Sequence, residues 1–139
     1  IEGLGVTLGH GMSRFDPEPG HPNAPGPGKR PLHNMSPAIV LRGGRPVFAA
    51  GARGGRKIPN AVLTALAQMT LLERSLEEAV AAPRAHTEGT AVVDLEPSWP
   101  TAQLAALGQK GYTVKTSASA TLSAVAFDPT TGATRGAMR

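Results

Sequence analysis

Two short apolar runs on either side of a glycine pair form the clearest pattern in the chain. Residues 38–41 (AIVL) and 46–51 (PVFAAG) flank the sequence RGGR at 42–45. Glycines supply the positive φ angles that a two-residue hairpin turn requires. The pattern predicts a β-hairpin whose second strand buries Phe48.

Apolar side chains at helical spacing follow the hairpin and predict a helix over residues 58–74. Pro59 suits the first turn of this helix, where its missing N–H would be unpaired in any case. A shorter helix is expected over residues 76–82, because Ser75 is a good N-terminal cap and Pro83 stops helical hydrogen bonding. The apolar positions of the longer helix are Val62, Leu63, Leu66, Met69 and Leu72.

The two ends of the chain show weaker patterns. Residues 2–9 indicate a short, glycine-weakened strand, and residues 16–31 are so rich in proline and glycine that a long surface loop, functional or disordered, is expected. Strands paired by hairpins with helices between them predict an α/β or α+β fold, and the length predicts a single domain over residues 1–139. The later elements expected are strands at 91–95, 112–115, 122–127 and 133–136, a helix at 100–107 ended by Gly108, and a turn at 128–132.

The amino-acid composition excludes several classes of protein. Of 139 residues, 40% are hydrophobic but only 4% are aromatic, so we expect a core of aliphatic side chains. The absence of cysteine excludes a disulfide scaffold and thiolate metal ligands, and no apolar run is long enough for a membrane span. Because the chain opens without methionine or a targeting segment, we expect an internal piece of a longer precursor, with its compartment left open.

Half of the lysines and arginines lie in one interval. No acidic residue occurs between Glu18 and Glu73, whereas seven of the 14 cationic residues do, in a chain of net charge +4. The alternatives are an ordinary basic surface, a field that attracts an anion, or nucleic-acid binding. Nucleic acid is disfavoured, because the one aromatic of the interval is expected to be buried and offers no stacking platform. The seven are Lys29, Arg30, Arg42, Arg45, Arg53, Arg56 and Lys57.

The four histidines show no metal-ligand spacing. They form no i, i+4 pair and have no carboxylate at a ligand spacing. Each is therefore expected to be a surface or loop residue, and no metal site is predicted. They are His10, His21, His33 and His86.

Gly54 and Gly55 lie where a predicted strand ends and a predicted helix begins. Such a turn leaves backbone N–H groups without partners, and glycine lets a substrate atom approach them closely. Two such amides suit the negative oxygen of a tetrahedral intermediate or a phosphate, unless the glycines serve turn geometry alone. A Walker phosphate loop is excluded, because Arg56 stands five residues after Gly51, where that motif needs Gly-Lys-Ser/Thr.

Several sequence blocks in a fixed order carry a family resemblance. They are PGKRPL at 27–32, MSP at 35–37, AIVL at 38–41, the glycine pair before a helix, and EAVAAPR at 78–84 with His86. Together they resemble the small subunit of γ-glutamyltransferases, over residues 3–137 and most densely over 27–86. That family belongs to the N-terminal nucleophile hydrolases, whose precursors cleave themselves to expose a threonine nucleophile.

The resemblance implies an αββα sandwich of which this chain is a partial half. It implies Gly54 and Gly55 as donors to the oxyanion, the large subunit of the same precursor as partner, and a γ-glutamyl amide such as glutathione as small-molecule substrate. No metal or organic cofactor is expected, because protein groups supply the nucleophile, the base and the oxyanion donors. The family's threonine lies upstream of the block that matches residues 9–15, so we expect this chain alone to be inactive.

The chain departs from the family pattern at the acyl pocket. His33 and Asn34 replace two serines that hold the substrate's α-carboxylate, and both can still donate a hydrogen bond. Arg14 replaces an aspartate that binds the substrate's α-amino group, which inverts the charge that an ammonium would meet. We therefore hypothesise an acyl donor without the amino group, such as a glutaryl amide, with Asp16 as a possible compensating carboxylate.

Two functions of different classes remain open. The first is acyl transfer to water or an amine through a threonyl ester, in an enzyme whose other part supplies the threonine. The second is a non-catalytic domain whose basic segment, residues 29–57, binds an anionic polymer or surface, and such binding would weaken steeply with salt. The resemblance favours a periplasmic or extracellular location without excluding the cytoplasm.

Overall fold

The computed structural model describes residues 3–5, 11–118 and 120–139. The chain divides into two compact units, Ile1–His33 and Asn34–Arg139, so a single domain over the whole chain stays a prediction. Among the described residues of the first unit, one short 3-10 helix (Gly11–Arg14) lies between turns. The second unit contains β1 (Ala38–Arg42), β2 (Arg45–Arg53), α1 (Ile58–Thr70), α2 (Leu76–Ala81), β3 (Ala85–His86), β4 (Val92–Leu95), α3 (Thr101–Gln109), β5 (Thr113–Thr116), β6 (Thr121–Phe127) and β7 (Thr134–Met138).

The predicted hairpin is confirmed and forms half of an antiparallel sheet. β1 pairs with β2, β2 with β6 and β6 with β7, in the spatial order β1-β2-β6-β7. Gly43 and Gly44 have φ angles of 56° and 78°, which side chains disfavour, and so allow the tight turn between β1 and β2. The β2–β6 ladder ends where Arg53 lies opposite Thr121, and this register sets the point at which β2 stops.

Helices α1 and α2 cover one face of this sheet. Phe48 and Ala50 of β2 and Leu122 of β6 face the helices and are buried. On α1, Ala61 and Ala65 are fully buried, and their small side chains let the helix pack closely on the sheet. Phe48 is the only aromatic residue in this cluster of buried side chains, so the expected aliphatic core is confirmed.

The opposite face of the sheet, which we call the outer face, exposes apolar side chains. Ile39, Val125 and Met138 are 68%, 42% and 73% exposed. Residues paired across strands share a face, so Ile39, Ala49 and Val125 form one row, and Ser123 and Met138 lie in the next. One helical layer on one sheet with a bare apolar face is what half of an αββα sandwich requires.

A second sheet has the order β3-β4-β5. β3 is antiparallel to β4, whereas β4 is parallel to β5 with α3 as the crossover between them. The remaining predicted strands and the 128–132 turn are confirmed to within two residues. β3 was missed, because its two residues are too few to show an alternating pattern.

The second predicted helix is confirmed as α2. The Ser75 side chain accepts from the N–H of Glu78, and the Glu78 carboxylate accepts from the N–H of Ser75. Hydrogen bonds from the backbone and side chain of Ser75 hold the pKa of Glu78 below its ordinary value. This reciprocal cap explains why so short a helix begins sharply at Leu76.

Two predicted helix ends are wrong. The helix expected to run to residue 74 ends at Thr70, because the backbone reverses through Glu73 in the left-handed region, at φ 51°. α3 does not end at Gly108 but continues to Gln109. The glycine with positive φ after this helix is Gly111, at 86°, and it takes the role that the sequence assigned to Gly108.

The strand expected at residues 2–9 is not found in residues 3–5, the part of this segment that the structure describes. Residues 3–5 form a turn, because Gly3 and Gly5 have φ angles of 79° and 60°, which strands do not adopt. Residues 2 and 6–9 lie outside the described residues.

The predicted loop at 16–31 is confirmed as a segment without helix or strand. It is held by its own polar groups: Asn23 donates from Nδ2 to the carbonyl of Arg14 (2.7 Å) and accepts at Oδ1 from the N–H of Leu32 (3.0 Å). The Asn23 side chain therefore bridges the start and the end of the loop.

A buried ion pair at the edge of the second sheet is joined to the first sheet through Arg139. Arg84 and Glu96 are 3% and 6% exposed, and the carboxylate accepts from the backbone N–H, Nε and Nη2 of Arg84 at 3.0 to 3.3 Å. Arg139, which follows β7, donates to the same carboxylate at 2.9 Å. Burial raises the pKa of Glu96, but these hydrogen bonds and the two arginine charges outweigh it and hold the pKa below its ordinary value.

Glu96→Gln should lower the free energy of unfolding by about 3–5 kcal/mol at pH 7, because it leaves the buried Arg84 without its counter-charge. Since the folded-state pKa of Glu96 is lowered, its contribution is present above about pH 5 and is lost as the pH falls below about 4. Urea unfolding of the wild-type and variant proteins at pH 7 and below about pH 4 measures the difference in their free energies of unfolding.

Glu77→Gln is the matched control. Glu77 is 56% exposed and pairs with Arg135 at 3.7 Å on the surface, so its loss should change stability by about 0.5 kcal/mol or less. Equal losses for the two variants would contradict the role of the buried pair.

Candidate functional site

The segment Gly54–Lys57, which we call the glycine turn, joins β2 to α1. Gly54 has φ 140° and ψ 27°, and Gly55 has φ 63°, so both lie in the region that favours glycine. The carbonyls of Gly54 and Gly55 accept from the N–H groups of Lys57 and Ile58. Outside the helices and strand ladders, neither glycine N–H donates to another described residue. The turn thus engages its two glycine carbonyls internally, and its two glycine amides have no acceptor among the described residues outside those elements.

A close neighbour requires glycine at position 54. A Cβ on Gly54 would lie 2.8 Å from both the Cα and the Cβ of the buried Ala120. At Gly55 an added Cβ would meet no described atom within 4 Å. Gly54 is exposed and Gly55 half-buried, so the turn lies at the surface of this chain, closed on the Ala120 side and open beside Gly55.

A chain of polar side chains lies beside the glycine turn. Arg56 Nη1 is 2.8 Å from Glu88 Oε2, Glu88 Oε1 is 3.4 Å from His86 Nε2, and Asn60 Nδ2 is 2.9 Å from His86 Nδ1. Hydrogen bonds from Arg56 and then from His86 hold the pKa of Glu88 below its ordinary value. Partners at both ring nitrogens therefore fix the orientation of the imidazole.

The histidines divide into exposed and buried ones. His21 and His33 are exposed, as expected, and His10 lies outside the described residues. His86 is 7% exposed on β3, so its expected surface or loop position is wrong. The sequence analysis does not predict β3, the two-residue strand that buries this side chain, because the local sequence shows no strand pattern.

The basic interval of the sequence does not form one patch. Arg42 and Arg45 flank the hairpin turn at one end of β2, whereas Arg53 and Arg56 lie at its other end, about 26 Å away for eight residues of extended strand. Lys29, in the first unit, donates to two carbonyls of its own loop at 3.1 and 3.3 Å. A continuous surface for an anionic polymer is therefore not formed along β2.

Comparison with known proteins decides the family. The profile described as gamma-glutamyltranspeptidase matches residues 1–138. The chain belongs to the gamma-glutamyltranspeptidase family. The acylase ACY 1 proenzyme of Pseudomonas sp. (strain SE83) is 38% identical over 131 residues, which cover 93% of this chain and 23% of that protein. The glutathione hydrolase proenzyme of Bacillus subtilis (strain 168) is 32% identical over 117 residues, which cover 84% of this chain and 20% of that protein.

Solved structures show the same fold. A mutant of Helicobacter pylori gamma-glutamyltranspeptidase matches with a TM-score of 0.82 and 28% identity, over 100% of this chain and 82% of that chain. A cephalosporin acylase from Bacillus halodurans matches with a TM-score of 0.79 and 26% identity, over 88% of this chain and 24% of that chain. The family resemblance and the fold class expected from the sequence are thus confirmed, while the chain spans about a quarter or less of the curated relatives named above.

The residues expected from the sequence to depart from the family pattern lie in both units. In the first, Arg14 ends the 3-10 helix and is exposed, and His33 Nε2 lies 3.6 Å from where a Cβ on Gly11 would be. In the second, half-buried Asn34 accepts at its carbonyl from the Ser36 hydroxyl at 3.2 Å. Their roles in acyl binding, and those of the two glycines in catalysis, stay predictions.

The carboxylate of Asp16 is engaged within its own loop. Oδ1 accepts from the N–H of Glu18 at 3.0 Å, and Oδ2 lies 3.8 Å from Nδ1 of His21. An ionised carboxylate has further acceptor positions, so the role of Asp16 as a compensating carboxylate stays a prediction.

Two further kinds of feature are absent from residues 3–5, 11–118 and 120–139. In these ranges, no group of three or more histidines, aspartates and glutamates is arranged to hold a metal ion. No helix in them is long and apolar enough to cross a membrane.

Gly54→Ala should lower the melting temperature of the protein by several degrees. The added Cβ collides with the backbone of Ala120, and a φ of 140° is strained for alanine. Gly108→Ala is the matched control, because Gly108 lies in α3 with no described atom within 4 Å of the added Cβ. Alanine there is favoured by about 1 kcal/mol, so its melting temperature should stay equal or rise. Similar losses for both variants in a thermal melt would contradict the contact with Ala120.

Proposed function

We propose that the protein containing this chain cleaves acyl amides, and that the amides of Gly54 and Gly55 stabilise the oxyanion of the reaction. The observation that supports this most is the glycine turn, with two adjacent amides at an exposed strand-to-helix junction and their carbonyls already engaged. Relatives named glutathione hydrolase and acylase proenzymes give the reaction class. The nucleophile is a threonine from another part of the precursor.

The proposed reaction has two steps. The threonine hydroxyl attacks the acyl carbon, and the glycine amides donate to the oxygen that becomes negative. The C–N bond then breaks, the amine leaves with a proton, and a threonyl ester remains. Water or a second amine attacks this ester, which releases the acid or a new amide and restores the hydroxyl.

The acyl donor is a carboxylate-bearing amide without an α-ammonium group, such as a glutaryl amide. Arg14 is an exposed cation, and the resemblance places it where the family has its ammonium-binding aspartate. A guanidinium repels an ammonium and attracts a carboxylate. The relatives include proteins named acylase and proteins named glutathione hydrolase, so the choice of this donor over a γ-glutamyl donor rests on Arg14.

The partner is the remainder of the same precursor, and it covers the outer face of the sheet. Apolar side chains exposed in a continuous row are the usual mark of an interface. The relatives are named proenzymes and are four to five times longer than the matched segment, so the rest of such a polypeptide is available to pack there.

Substrate preference tests the proposal. The complete, processed protein should hydrolyse glutaryl-p-nitroanilide with a kcat/KM about 10-fold or more above that for γ-glutamyl-p-nitroanilide, and Arg14→Asp should reverse the order. Arg45→Asp, at the hairpin turn, is the control for a general charge effect and should leave the ratio unchanged. A wild-type protein that prefers the γ-glutamyl substrate would overturn the assignment of the donor.

Assembly tests the proposed partner. Val125→Asp places a charge in the middle of the outer face and should prevent this chain from co-purifying with the rest of the processed protein, because burying an unpaired carboxylate is costly. Leu71→Asp is the control, since Leu71 is 77% exposed just after α1 and away from that face. Normal co-elution of the Val125→Asp chain in size-exclusion chromatography would show that the outer face is not the interface.

A further inference from the structure

Lys57, the last residue of the glycine turn, joins the turn to the segment that follows β5. We propose that Lys57 is a positioning residue that holds the Gly54 and Gly55 amides in place for the oxyanion. This inference rests on the proposed function of those amides and adds a residue that touches neither the substrate nor the nucleophile.

Three oxygens surround the ammonium group of Lys57. Nζ donates to Ser117 Oγ at 2.6 Å and to the carbonyl of Ala118, and it lies 4.0 Å from the carboxylate of Asp94 on β4. Two of the three ammonium donors are therefore hydrogen-bonded, and the Asp94 carboxylate adds a negative charge nearby. With 26% of its side chain exposed, Lys57 is partly shielded from water, and its contacts are less screened than those of a surface lysine.

The segment that Lys57 binds is also the one that packs on Gly54. Residues 117 and 118 accept from Lys57, Ala120 lies against the backbone of Gly54, and Thr121 pairs with Arg53 at the end of the β2–β6 ladder. Both ends of the glycine turn thus contact the same short stretch of chain. Without Lys57, the ladder and the Ala120 contact would still hold the Gly54 end, whereas the Gly55 end would keep only the Arg56–Glu88 pair and its junction with α1.

A second link at the turn is weaker. Arg56 pairs with Glu88 at 2.8 Å, but their side chains are 75% and 48% exposed, and exposed ion pairs contribute little. Lys57 therefore carries more of the restraint than its neighbour Arg56.

Loss of this restraint should act on the chemical step. An oxyanion donor works only where the negative oxygen develops, so a displaced amide weakens the transition state more than the bound substrate. A variant at position 57 should lower kcat and leave KM for the acyl donor almost unchanged.

The test uses the complete, processed protein with an acyl p-nitroanilide that it hydrolyses. Lys57→Met keeps the length of the side chain without the charge and should lower kcat by about 10- to 100-fold, with KM within about 2-fold. Lys57→Arg should recover most of kcat, and Ser117→Ala, which removes one acceptor, should give an intermediate loss. Lys110→Met, an exposed lysine after α3, should behave as wild type.

The outcomes separate the inference from the function on which it rests. Wild-type hydrolysis that is lost in a Gly55→Val variant but kept within 2-fold in Lys57→Met would overturn the role of Lys57 and leave the proposed function standing. A wild-type protein without amide hydrolysis would overturn both. A Lys57→Met variant whose melting temperature and KM change together with kcat, without rescue by arginine, would show a general structural role and also overturn the inference.

Discussion

The contact between Gly54 and Ala120 is the constraint on which the arrangement of the site depends. Because Ala120 occupies the space of a side chain at position 54, the backbone there is bare and bends with a φ that only glycine adopts readily. The bend ends the β2–β6 ladder and begins the 3-10 turn that leads into α1. The direction of the two glycine amides is therefore a consequence of sheet packing, since α1 is anchored on the same sheet.

The elements around this bend have separate tasks. The helices bury one face of the antiparallel sheet and fix the frame, while the Arg84–Glu96–Arg139 cluster holds the second sheet to the end of β7. That second sheet carries the groups that reach the turn: Asp94 and the segment after β5 lie at Lys57, and Glu88, which follows β3, pairs with Arg56. Among the described residues, the outer face of the first sheet exposes apolar side chains, which agrees with a segment that forms only part of a gamma-glutamyltranspeptidase-family protein.

Local chemistry explains what the sequence could predict. The hairpin follows from two glycines between apolar runs, and α2 follows from the reciprocal cap of Ser75 and Glu78, all of which act within a few residues. The position of the glycine turn is also predictable from local sequence, because a predicted strand and a predicted helix flank it. The sequence blocks shared with the family identify the fold, whereas hydrophobic periodicity alone predicts only a mixed α/β class.

Long-range contacts explain what the sequence could not predict. Lys57 meets an acceptor 60 residues further along the chain, and the neighbour that requires Gly54 is Ala120, so no local pattern reveals either. His86 looked like a loop residue because a two-residue strand has no periodicity. Gly108 and Gly111 are both plausible helix ends by composition, and only the backbone angles distinguish them.

The most direct measurement is a crystal structure of the complete, processed protein with a boronate analogue of its acyl donor, in which a boron-bound oxygen stands for the oxyanion. We expect this oxygen to lie about 2.7–3.1 Å from the amide nitrogens of Gly54 and Gly55. An oxygen held by other donors, with the glycine turn facing away from the boron, would contradict the role of these amides.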